Sequence, residues 1–144
     1  MLTIFLTLFF LGFFFLAFFF PRTAALLILA TLPSYLVRFS VFGMPSTLLE
    51  GMILLLFLIL FFTHRRKIHF SHLRSRILLL LVASVVALFV TPDLRAGLGV
   101  WKAYILDPLL FFLSLLALFE KKDVRLLIHA LGVSALGVSA YALI

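Results

Sequence analysis

Apolar residues dominate this chain in long runs, and the breaks between runs are few and abrupt. Reading for stretches interrupted by charge, proline or glycine gives candidate spanning helices at residues 2–20, 23–42, 47–62, 77–90, 103–119 and 124–144. The length criterion is physical: a hydrocarbon core of about 30 Å takes roughly 20 helical residues, and fewer where flanking side chains snorkel. The breaks are Pro21-Arg22, "GMPS", "THRRK", "TPD" and "EKKD". The first run lacks the positive leader and small-residue cleavage site of a signal peptide, so it reads as a retained anchor. Residues 2–42 exceed one helix, and Pro21 predicts a tight hairpin between the first two runs. The second run carries Pro33 inside it and Arg38 near its far end. The pattern therefore predicts an all-α fold: a polytopic transmembrane helical protein of about six spans, forming one helical region over residues 1–144.

The sixth run ends on "ALGVSAYALI" with no polar exit, which predicts the N-terminal part of a larger membrane domain. Within it Leu-Gly-Val-Ser-Ala occurs at 131–135 and again at 136–140, which places Ala130/Ser134 and Ala135/Ser139 at four-residue spacing. Small residues so spaced let helices approach closely, though a short apolar repeat also arises without function.

Charge sets the orientation. Arg22, Arg65, Arg66, Lys67, Arg74, Arg76, Lys121, Lys122 and Arg125 fall in alternate loops, nine of the 12 basic residues, so those loops are expected on the cytoplasmic side. Arg38, Arg95 and Lys102 are left at the opposite interface, with the N-terminus. The excess of 12 basic over 5 acidic residues, a net charge of +7, then points to anionic lipid and not to nucleic acid, because the cations lie between apolar runs. With 66% hydrophobic residues, no soluble domain is left over to bind DNA or RNA, and the chain is expected to be a multi-pass membrane protein. The absence of cysteine excludes disulfides and thiolate metal sites.

Candidate chemistry is sparse. His64, His69 and His72 share the basic loop, but five cations and no carboxylate accompany them, which opposes metal binding. His129 sits inside the sixth run and receives no role. No phosphate-binding glycine loop, nucleophile elbow or paired-histidine motif is present, so no cofactor, metal or catalytic residue is assigned.

The outer interface gathers Arg38, Glu50, Arg95, Lys102 and Asp107. Arg38, Arg95 and Lys102 suit a phosphate-bearing lipid headgroup, since such cations bind phosphate by charge-assisted hydrogen bonds. Simple interface anchoring predicts much the same residues. Thr47-Leu-Leu-Glu50 has capping-box spacing, which accounts for Glu50 structurally. Lys102 can snorkel beside Trp101 and Tyr104. Asp107 lies about 7 Å further down the helix at 1.5 Å per residue, before Pro108, and is expected to pair with Arg38, Arg95 or Lys102.

The stretch "LPSYLVRFSVFGMPSTLLEGMILLLFLILFF", followed by "LGVWKAYILDPLLFF" and "KKDVRLLIHALGVSAL", resembles the N-terminal part of bacterial O-antigen ligase-like proteins, the O-antigen ligases and polymerases. The resemblance covers roughly residues 32–140 and is carried by Arg38-Phe39, Pro45 to Glu50 and Trp101 to Pro108. It implies an integral membrane glycosyltransferase that takes an undecaprenyl-diphosphate-linked glycan as donor, without metal or nucleotide. The family's catalytic loop belongs to a part of the family chain that these residues do not match, so no catalytic role is carried over. Lys102 would face the diphosphate and Asp107 a neighbouring cation. A non-catalytic polytopic protein, a small transporter or scaffold, is the alternative.

Overall fold

The computed structural model describes residues 2–41, 44–63 and 74–143 and is all-helical apart from one small hairpin of strands. Helix α1 (Leu2–Phe19) turns at Phe20 directly into α2 (Pro21–Ala30). Pro21 opens α2 because its missing N–H falls where a helix leaves that donor unused. The two helices pack on each other as a hairpin.

The second run ends earlier than its composition predicts. Helix α2 stops at Ala30, a 3-10 turn follows over Leu32–Leu36, and then come strands β1 (Arg38–Val41) and β2 (Met44–Thr47). Thr31 Oγ1 donates to the Leu27 carbonyl at 2.6 Å, and Pro33 supplies no N–H to continue the ladder. The strands pair antiparallel, Arg38 with Thr47 and Val41 with Met44. An apolar stretch with β-branched and aromatic residues thus becomes a hairpin capping the bundle.

Helix α3 (Leu48–Thr63) begins where β2 ends, and its first turn is closed by Thr47 and Glu50. Helix α4 (Arg74–Phe89) leads through a short turn to α5 (Leu94–Trp101). Asp93 caps α5, its Oδ1 accepting from the backbone N–H groups of Arg95 and Ala96 at 3.0 and 3.1 Å. Without interruption α5 passes into a π-helical turn (Lys102–Leu106) and then α6 (Asp107–Leu118). A final 3-10 turn (Lys121–Asp123) starts α7 (Val124–Ala142). Glu120 and Asp123 form a capping box there.

The core lies between α1, α2 and α3, with α6 packed against it. Ala17, Ala24, Ala25, Ile28, Met52 and Leu56 have no exposed surface. Alanine and glycine at these contacts let helix axes come close. At Gly51 a Cβ would sit 2.5 Å from Phe10 Cζ. Helix α7 packs on α2, with Ser134 buried, whereas α4 packs chiefly on α5.

Two stretches are long and apolar enough to cross a membrane among the described residues: Leu94–Leu118, 25 residues through the π turn, and Lys121–Ala140, 20 residues. The other apolar helices, Ile4–Phe19, Pro21–Ala30, Leu48–Thr63 and Ser75–Phe89, are shorter.

Candidate functional site

Polar side chains collect at the two ends of α6. At its C-terminal end the Arg22 guanidinium lies 6.0 Å from the Phe119 ring centroid, and Lys122 pairs with Glu120 at 2.9 Å on the exposed surface. This brings the α1–α2 turn beside the basic residues that precede α7. The other end holds the candidate site.

There the start of α3 faces the π turn. Glu50 Oε2 accepts from the Thr47 backbone N–H at 3.2 Å, and Thr47 Oγ1 accepts from the Glu50 N–H at 3.3 Å. These are the reciprocal bonds of a capping box, and they fix Glu50 in a part-buried position. Lys102 reaches across from the other helix, donating to Glu50 Oε2 at 2.7 Å and Ser46 Oγ at 3.3 Å. The Lys102 side chain keeps 34% of its surface exposed and Glu50 16%, so the pair sits at the mouth of a cleft and not in the core.

The cleft has a volume of about 550 Å³ and lies between the 3-10 turn, the start of α3 and the Lys102–Asp107 stretch. Tyr35, Ser46, Glu50, Lys102, Tyr104 and Asp107 are its polar lining residues of most chemical interest. Tyr35 and Tyr104 are mostly exposed at its edge.

Asp107 corrects the sequence expectation of an ion pair. It is only 4% exposed, and neither carboxylate oxygen has a hydrogen-bond partner among the described residues. Lys102 goes to Glu50 instead. Helical side chains lean toward the helix N-terminus, so a lysine five residues before an aspartate is directed away from it. The intervening turn is π-helical, with the Asp107 N–H donating to the Lys102 carbonyl. This widened turn also accommodates Pro108, whose ring would otherwise crowd the carbonyl four residues back.

The remaining candidates separate. Arg95 is exposed and does not line the cleft; seven residues before Lys102, it stands about 10 Å further along the helix. The Arg38 backbone pairs with Thr47, one strand from the α3 cap, while its side chain lies outside the described residues. His64, His69 and His72 also lie outside the described residues, and His129 is exposed on α7. No cluster of three or more His, Cys, Asp or Glu side chains occurs among the described residues.

Sequence reasoning missed Ser46 and Asp93. Pro92-Asp93 ahead of an apolar run is a helix-start signal and marks Asp93 as a cap. Ser46 carried no signal, because only the hairpin brings it beneath Lys102. Comparison with known proteins returns no matching family model, no matching curated protein and no matching solved structure.

Proposed function

We propose that the chain is a multi-pass protein of the cytoplasmic membrane and that its cleft receives the phosphate of a lipid headgroup, as the N-terminal portion of an O-antigen ligase-like transferase acting on an undecaprenyl-diphosphate-linked glycan. The observation that supports this reading is the Lys102 ammonium at the mouth of the cleft, held by Glu50 and Ser46. An ammonium has three N–H groups, so these two bonds leave one for a phosphate oxygen. Arg95, further along α5, would then anchor at the surface.

Six crossings are compatible with the element lengths. Helix α2 rises about 15 Å and the 3-10 turn about 10 Å, at 1.5 and 2.0 Å per residue, so together they nearly traverse a thin hydrocarbon layer. Arg22 and Lys122 belong to one end of the bundle, in keeping with basic loops on the cytoplasmic side.

One observation favours the second reading, a non-catalytic scaffold or small transporter. The Thr47–Glu50 cap and the Lys102–Glu50 pair form a closed unit that stabilises the α3–α5 contact without any ligand. Binding of a prenyl diphosphate and of the matching uncharged prenol to protein in nanodiscs separates the two. A preference for the diphosphate that Lys102→Ala removes supports the lipid site; equal binding of both lipids by both proteins supports the scaffold. The topology has its own check: Pro92→Cys labelled from outside intact cells with Ser71→Cys protected, against the reverse.

A further inference from the structure

We infer that the cleft holds a sodium ion at Asp107, bound beneath the Lys102–Glu50 pair. Asp107 is 4% exposed, and both of its oxygens lack a hydrogen-bond partner among the described residues. A buried carboxylate without hydrogen bonds is costly, and the one ammonium among the described residues of the cleft, Lys102, is bonded to Glu50, which leaves room for a further counter-charge at Asp107. The described charged groups of the cleft are Glu50, Asp107 and Lys102. Two carboxylates and one ammonium leave a single negative charge, which one monovalent cation neutralises.

Other oxygen donors line the same cleft. Glu50 uses Oε2 for both the Thr47 N–H and Lys102, leaving Oε1. Ser46 Oγ lies on the same wall, 3.3 Å from the Lys102 nitrogen. The backbone adds more. The Asp107 N–H donates to Lys102 and so is lost to the carbonyl of Ala103, and Pro108 has no N–H to give to Tyr104. Ala103, Tyr104 and Asp107 all line the cleft. A carboxylate beside helix carbonyls released by a broken ladder is a chemistry that suits hard, small cations within a membrane protein.

Size and charge choose among cations. Both Asp107 oxygens are almost wholly covered, which disfavours a headgroup ammonium and leaves a bare alkali ion as the smaller occupant. Divalent ions take six or more oxygens with more carboxylate charge than is left beside Lys102. Sodium binding does not depend on the phosphate reading, since it uses Asp107 and not the free N–H of Lys102.

The test is thermal unfolding of the purified full chain in detergent, in sodium, potassium and choline chloride at equal ionic strength. The midpoint is expected to rise saturably with sodium alone, Asp107→Asn to abolish that rise, and Ser46→Ala to move half-saturation several-fold upward. Identical midpoints in the three salts overturn the inference, as does a sodium effect that survives Asp107→Asn, or a midpoint that follows pH but not sodium. If Asp107→Asn does not fold, radioactive sodium binding to the unaltered protein decides. Saturable signal displaced by sodium and not by choline supports the site, and none overturns it.

Discussion

The bundle of α1, α2 and α3 and the arm formed by α4 and α5 are both built largely from apolar residues, yet they use them differently. In the bundle Ile28, Met52 and Leu56 are fully covered by neighbouring helices. In the arm Leu79, Val82, Val86 and Phe89 are all more than half exposed, and none of the described residues of α4 or α5 is buried. Apolar composition therefore states what solvent a helix tolerates, not what it packs against. In the bundle small residues sit at the covered contacts, with Ala17, Ala24 and Ala25 fully buried and Gly51 against the Phe10 ring, whereas the small residues of α4, Ala83, Ser84 and Ala87, are not buried.

Substitution at the two kinds of apolar position is the strongest way to break this comparison. Leu56→Ala should cost about 2–5 kcal/mol in reversible unfolding, because a fully covered leucine leaves a cavity, while Val86→Ala, 56% exposed, should stay within about 0.5 kcal/mol. Equal effects would mean that the arm is as well packed as the bundle. Glycines sharpen the same point. Gly51→Ala forces a Cβ against the Phe10 ring and should cost about 1–3 kcal/mol, but Gly132→Ala meets open space and should gain up to about 1 kcal/mol in helix propensity.

Bundle and arm are joined at Lys102, so cutting that link tests how far they are independent. Lys102→Ala should lower stability by about 1–2 kcal/mol, between the small worth of an exposed pair and the loss on breaking a buried one. Adding Glu50→Gln should restore part of it, since the stranded carboxylate is the source of the cost; no recovery in the double variant would place the loss in packing of the lysine stem. The smallest effect concerns the arm alone. Trp101 donates from Nε1 to Ser84 Oγ at 2.9 Å, and Trp101→Phe should cost about 0.5–1.5 kcal/mol, read as faster exchange of α4 amides with α3 unaffected.

Local signals in the sequence translate directly into structure. Pro21 predicts the α1–α2 turn, and the Thr47–Glu50 spacing predicts a cap whose two hydrogen bonds are present. Both depend on residues within four positions of one another. The strand hairpin at 38–47 was not legible, because Val37, Phe39 and Val41 read equally well as spanning helix, and only the termination at Thr31 and Pro33 decides between them. Partner choice in the site was illegible for another reason. Glu50 and Lys102 are 52 residues apart, and nothing local says that Lys102 gives its hydrogen bond to Glu50 and none to Asp107. The π turn has no pattern of its own beyond Pro108, so a uniform helix at 1.5 Å per residue placed Asp107 in a hydrogen-bonded pair that it does not form among the described residues.

That turn also sets a phase. An α-helix advances about 100° per residue, so a single residue accommodated as a bulge rotates everything after it by about that angle relative to everything before. Between Trp101 and Asp107 the chain makes this adjustment once, and α6 consequently presents Leu110 and Phe111 to the core while α5 keeps Trp101 for α4. Removing one residue from 102–106 would leave composition, hydropathy and length almost untouched and yet turn the apolar face of α6 by more than a quarter revolution. Helix registration in this molecule is thus encoded by a count of residues, a quantity to which substitution is blind and insertion or deletion is not.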